Sequence, residues 1–396
     1  PLEATASLGI ETRSEADAAS AFGASLALHG PLERLALRGT LRGAALPAAR
    51  GSAAAPELDA EATLTPFAAW PLAMLRLRTQ ALDLATLHSA APGTALEGTA
   101  ELSSSALDQP ASIAIALVNA RAGRYDAGLL PLRSVRADLR ARPDDPSRGE
   151  IHALDLALGT AREAGGRLQG SGRWAPGQVQ LDARLTDLAP RVLDARAAAL
   201  RVSGQASLSV VPGADGAAPA TATLRGRFSG ALPADGRLQA LSLEIDADGS
   251  TQRIEVRRAL LAAGATNVSL QGRAQRNGAG AWQLAGNAAL QGFDPALWWP
   301  GREGSAWRKG PHRIDATLAL QAALPRSPSA SVLDALARAQ GQATLELGAD
   351  SVLAGQRIGG EATLHGAQSG ADVPGARLAA RLVVGGSAVA VRGRIS

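Results

Sequence analysis

Apolar and polar residues alternate with a period of two along most of this chain. Leu35, Leu37 and Leu41 alternate with Arg34, Arg38, Thr40 and Arg42. The same pattern sets Val179, Leu181 and Leu185 against Gln180, Asp182, Arg184 and Thr186, and Leu241, Leu243, Ile245 and Ala247 against Ser242, Glu244, Asp246 and Asp248. It recurs where Val268 and Leu270 alternate with Asn267, Ser269, Gln271 and Arg273, and where Ile314, Ala316, Leu318 and Leu320 alternate with Arg313, Asp315, Thr317 and Gln321. Successive side chains of an extended strand point to opposite sides, so each run predicts a strand with one dry face and one wet face. Asp248-Gly249 and Asn277-Gly278 predict tight hairpin turns, because these residues accept the positive φ that such turns demand. The pattern is antiparallel or meandering β, not βαβ.

Helical signals are few and short. Residues 328–340 place Val332, Leu333, Leu336 and Ala339 on one face, with Ser331 as an N-cap and Gly341 past the end. Residues 189–199 and 66–77 carry weaker helical patterns. None is long enough to organise a domain.

An internal repeat overlies the alternation. "LDLATL" at 82–87, "TDLAPRVL" at 186–193 and "GFDPALWW" at 292–299 each join an acidic residue to an apolar stretch. Asp83, Asp187 and Asp294 mark units of roughly 105 residues. No composition break separates them, so 1–396 reads as one continuous, elongated β repeat region whose units stack on their neighbours.

Composition narrows the picture. Aromatics make up 3% of the chain, with one tyrosine, Tyr125, and four phenylalanines. A compact globule of 396 residues would ordinarily fill its centre with more rings. Mean hydropathy near zero is too apolar for a disordered chain. The net charge is +4, carried by arginine, since Lys309 is the only lysine. These arginines are interspersed with Asp and Glu and form no basic tract, which argues against nucleic acid as a partner. With no cysteine, disulfides and thiolate metal sites are excluded. No apolar run reaches the roughly 18 residues that a membrane-spanning helix needs. The chain opens at Pro1 with no export signal, and so reads as a fragment of a longer protein with any anchor upstream.

Catalytic signatures are sparse. His29, His88, His152, His312 and His365 are scattered, without a second ligand at metal spacing, and there is no nucleophile elbow, HExxH helix or P-loop. Glu244, Asp246, Asp248, Gly249 and Glu255 fall at positions 1, 3, 5, 6 and 12 of a calcium loop of the EF-hand type. Both flanks alternate with period two where that motif needs helices, so an exposed strand and turn is the better reading. Phe293, Trp298, Trp299 and Trp307, with Pro295 and Pro300, form the richest aromatic cluster. It suits either a plug between repeats or a membrane-interface or client-binding patch, and the plug is preferred. The sequence therefore predicts a protein that is not an enzyme, has no cofactor and holds no metal.

The "L-x-G" strand cores at Leu168-Gln-Gly170 and Leu270-Gln-Gly272, the Asp-Leu or Asp-Pro turns and the stretch 260–301 together resemble the TamB family of the AsmA-like superfamily. The resemblance implies an elongated, folded-over sheet (a β-taco, or β-solenoid-like groove) with a few short helices. It implies a periplasmic bridge anchored in the inner membrane by a segment not present here, taking part in phospholipid transport or outer-membrane protein assembly. Phospholipid acyl chains and an outer-membrane assembly partner of the TamA type are the implied partners. About 20 strands at about 4.8 Å would span on the order of 95 Å. Inward Ala, Gly and Leu would leave room for acyl chains. Expected groove positions are Leu154, Leu156, Leu158, Leu168, Leu181 and Leu185, followed by Leu270, Leu284, Leu290, Leu318 and Leu320. The alternative is a secreted adhesin or autotransporter passenger with a filled β-solenoid core. A polysaccharide-acting enzyme on a β-helix would need clustered carboxylates, which the sequence does not reveal.

Overall fold

The computed structural model describes residues 2–13, 19–43, 57–88, 90–212, 220–234, 237–278, 280–298, 305–324, 340–366 and 376–395. The chain divides into two compact units, Pro1–Ala195 and Arg196–Ser396. The first contains β1 (Leu2–Arg13), β2 (Ala19–Gly30), β3 (Leu35–Gly43), β4 (Glu57–Leu64), β5 (Leu72–Leu82), β6 (Leu96–Ser103), β7 (Ala111–Asn119), β8 (Leu132–Arg142), β9 (Asp145–Gly159), β10 (Ala164–Ala175) and β11 (Gln178–Leu188). The second contains β12 (Arg201–Val211), β13 (Thr221–Ala234), β14 (Arg237–Gly249), β15 (Arg253–Ala263), β16 (Thr266–Arg276), β17 (Trp282–Phe293), β18 (Ile314–Leu324), β19 (Gln340–Leu353), β20 (Gln356–His365), β21 (Ala376–Val384) and β22 (Ser387–Ile395). Within each unit every strand pairs antiparallel with the one before and the one after. The fold is all-β, and the meander is not closed into a barrel.

Register converts the sequence alternation into two continuous faces per unit. From β3 to β8, Leu37, Ala62, Leu75, Leu102, Ile113 and Leu139 stand directly opposite one another in turn. From β14 to β19, Ile245, Ala259, Leu270, Ala288, Leu318 and Leu345 do the same. Residues one step away along each strand point to the other face. There Arg38, Glu61, Arg76 and Glu101 form a charge ladder across β3 to β6. Arg38 and Glu61 approach to 3.6 Å, and Arg76 and Glu101 to 2.9 Å. These side chains are largely solvated, so each pair contributes about 0–1 kcal/mol, and the apolar face carries most of the fold's stability.

In each unit the buried residues gather mainly along one rim. Single helical turns interrupt the meander there: α1 (Leu84–Leu87), α2 (Pro190–Leu193) and α3 (Pro295–Trp298). In the first unit this rim holds buried Ala95, Leu96, Ala122, Ala189 and Val192. Its loops are fastened through Thr94 and Asn119. Asp83 caps α1 through the Ala85 N–H and also accepts from the Thr94 N–H, while the Thr94 hydroxyl donates to the Leu82 carbonyl. Asn119 accepts from the Ala95 and Arg121 N–H groups. In the second unit the corresponding strand ends carry Leu232, Leu241 and Ala263, which are 2–4% exposed.

The helical turns give the repeat a structural definition. Ala81, Asp187 and Gly292 have φ of 50°, 49° and 57°. Each lies two residues ahead of the position that starts a helical turn, namely Asp83, Ala189 and Asp294. Ala81 and Gly292 both lie where the register slips, between Thr79 and Leu82 and between Leu290 and Phe293. Asp187 is thus the counterpart of Ala81 and Gly292, not of Asp83 and Asp294 as the acidic residues suggest. Helix starts at Pro190 and Pro295, each at the first helical position where its missing N–H costs nothing, fix this alignment.

Three local expectations change. Residues 66–77 are not helical: a turn over 66–70 leads into β5, whose Leu75 and Leu77 join the apolar face. Over 189–199 only the turn of α2 forms. Asp248 and Gly249 do not make the hairpin turn, because they pair with Glu255 and Ile254. Instead the chain turns at 250–252, where the Ser250 hydroxyl accepts from the Gln252 and Arg253 N–H groups. Asn277 does close a turn, over 277–281, with its side chain accepting from the Ala281 N–H. The helical pattern at 328–340 falls almost wholly outside the described residues, and Gln340 opens β19. Among the described residues no helix is long and apolar enough to cross a membrane.

Candidate functional site

The six leucines singled out in the first unit share its apolar face. Leu156, Leu168 and Leu185 stand opposite one another across β9, β10 and β11. Leu154 faces Gly170, Leu158 faces Gly166 and Leu181 faces Gly172. β10 therefore contributes three positions without a side chain, each opposite a leucine on one neighbouring strand, and a Cβ at any of them would meet backbone within 2.7 Å. In the second unit Leu270 and Leu318 flank Ala288. Leu284 lies between Ala274 and Ala322, Leu290 between Val268 and Ala316, and Leu320 between Gly286 and Ala343. Large side chains thus mostly oppose Ala or Gly, an arrangement that leaves surface relief unfilled within the sheet.

Exposure along this face is uneven. Leu270 and Leu318 are 44% and 37% exposed. At the strand ends away from the helical turns, Leu224 and Ile254 are likewise exposed, as is Val179 in the first unit. The opposite ends hold Leu232, Leu241 and Ala263 in near-complete burial. In the second unit the apolar face is therefore sealed along the rim bearing the helical turn and open towards the other. Sequence alternation located the face but not this asymmetry, which depends on where the loops fold back.

The aromatic cluster belongs to the sealed rim. Phe293 and Trp298 stack with ring centroids 6.3 Å apart. Trp307 meets His312 edge-on at 5.9 Å, and the Arg308 guanidinium lies 5.6 Å from the Trp307 ring centre. Arg308 also donates to the Ala296 carbonyl of α3 at 2.9 Å, and His312 Nδ1 accepts from the Ala354 N–H at 3.1 Å. Trp299 and Pro300 lie outside the described residues. Of the remaining histidines, His152 and His365 are exposed strand residues.

The calcium-like spacing is a hairpin. Glu244, Asp246, Asp248 and Gly249 lie on β14 and Glu255 on β15, and the Arg257 guanidinium bridges Asp246 and Asp248. The hydrogen bond from Arg257 holds the Asp246 carboxyl below the usual carboxylate range. Asp315 is lowered chiefly by the Gly292 N–H, which donates to it at 2.6 Å, and also by Arg313. Among the described residues no three His, Asp or Glu side chains converge at metal distance.

Taken together, these positions form a partly exposed apolar face. Comparison with protein-family models, with curated proteins and with solved structures finds no match.

Proposed function

We propose that the apolar faces receive acyl chains, and that the protein is a non-catalytic, lipid-handling segment of a TamB-like bridge in a bacterial periplasm. On this reading it takes part in phospholipid transport or outer-membrane protein assembly, and is held to the inner membrane by sequence outside these 396 residues. The supporting observation is the continuous, incompletely covered leucine face, shielded at one rim and accessible at the other. Each acyl CH2 removed from water there would gain about 0.8 kcal/mol, so a few turns of contact hold a chain while permitting it to slide. A filled adhesin-type solenoid would instead bury mostly large side chains, and among the described residues the buried apolar positions are mostly alanine.

Native mass spectrometry with lipid extraction, on the chain purified from a bacterial periplasm, tests the proposal. Co-purifying phospholipid that is lost in folded Leu270→Asp supports it. A lipid-free, well-folded wild-type chain would overturn it.

A further inference from the structure

The wet face of the second unit changes character between β14 and β19. In the first unit this face is built from Arg–Glu and Arg–Asp ladders, such as Arg38–Glu61 and Arg167–Asp155. In the second, Gln271, Asn287, Ala319 and Thr344 stand opposite one another in turn, and Asn267 faces Gln291. Two concavities open on this side, of 560 and 350 Å3. They share Ser269 and Ala289, which also face each other across β16 and β17, so the two form one continuous depression.

Its lining is rich in exposed amide and hydroxyl side chains. Asn267, Ser269, Gln271, Asn287 and Gln291 make no side-chain hydrogen bond to any other described residue, whereas the neighbouring acids Asp246 and Asp248 are engaged by Arg257. Amide and hydroxyl groups both donate and accept, so they match ligands whose own groups do both. At one end Glu244 pairs with Arg227 at 3.5 Å, and at the other Glu346 accepts from the Thr317 hydroxyl, so the lining between them is uncharged and suits an uncharged ligand. Leu260, Ala262, Ala289 and Ala319 supply small apolar patches between the polar groups. Alternating hydroxyls and C–H faces on an uncharged chain are the chemistry of an oligosaccharide.

We infer that this depression is a binding site for a neutral oligosaccharide, on the face opposite the acyl-binding surface and independent of it. Adjacent residues of β16 separate the two roles, Leu270 pointing to one face and Gln271 to the other.

Saturation-transfer NMR with chitotetraose and maltotetraose on the full chain provides the test. Transfer to at least one sugar is expected. The double variant Asn267→Ala/Asn287→Ala should weaken that binding on the order of tenfold by deleting two exposed hydrogen-bonding groups. Its melting should stay unchanged, and Leu270→Asp should bind sugar like the wild type. No transfer from either sugar, or transfer unaffected by the double variant, would overturn the assignment. Preferential capture of an extended peptide at the same residues would overturn it as well.

Discussion

Ala81 and Gly292 occupy the same place in their strands, each at φ near +50° in a bulge that feeds a single helical turn. Only glycine adopts that conformation freely, and an L-residue there is destabilised by about 1–2 kcal/mol. Ala81→Gly is therefore expected to raise the unfolding free energy measured in urea by about 0.5–1 kcal/mol after the entropy of the added glycine is set against it. Gly292→Ala should lower it by about 1–3 kcal/mol, since a Cβ there would come within 2.5 Å of the Ala265 carbonyl oxygen. Shifts in the same direction for both substitutions would show that the bulges are not equivalent.

The two rims of the second unit should respond differently to truncation. Leu232 is 2% exposed, and Leu232→Ala should cost about 2–4 kcal/mol through lost burial and an unfilled cavity. Leu270 is 44% exposed, and Leu270→Ala should cost less than about 1 kcal/mol. Denaturant titration of the pair measures the asymmetry directly, and matching losses would remove it.

Acid should be the destabilising direction. Asp144, Asp155, Asp246 and Asp315 all have lowered folded-state values, the first three mainly through hydrogen bonds from Arg142, Arg167 and Arg257 and the last mainly through the Gly292 N–H. A depressed carboxylate contributes stability above its unfolded value, about 3.9, and loses that contribution as pH falls through its folded value. Melting should be insensitive to these groups between about pH 5 and 8 and fall below about pH 4. Asp315→Asn should flatten the acid limb, and an unchanged limb would separate Asp315 from the effect.

Trp298→Ala tests the aromatic cap. Because Trp298 stacks on Phe293 at the sealed rim, the substitution should lower melting by several degrees, equivalent to about 2–4 kcal/mol, and leave lipid retention intact. Loss of lipid with unchanged melting would reassign the cluster to ligand contact.

Calcium titration should give neither heat nor a melting shift, because Arg257 already engages Asp246 and Asp248. A saturable heat abolished by Asp248→Asn would contradict that.

Alternation made the strands legible because period two is imposed wherever one face of a sheet is drier than the other, as at Leu241, Leu243 and Ile245. It also placed all eleven leucines on the apolar faces, since parity along a strand fixes the side. Local signals misled where pairing overrode them. Asp248-Gly249 stayed extended because β15 continued to pair with it, and the helical pattern over 66–77 gave way to the register of β5 with β4 and β6. The acidic residues align Asp187 with Asp83 and Asp294, whereas positive φ aligns it with Ala81 and Gly292, so conformation and not residue type sets that correspondence. Rim burial and the amide-lined depression were not legible, because both arise from side chains brought together by four or more strands.

Nearest-neighbour pairing within each unit has a kinetic consequence. No strand waits for a distant partner, so chain closure involves short segments and the loop entropy of each step stays small. Such a unit can form progressively as polypeptide is delivered from one end, each new hairpin zipping onto the last, and protection from hydrogen exchange should spread along the chain in the order of synthesis.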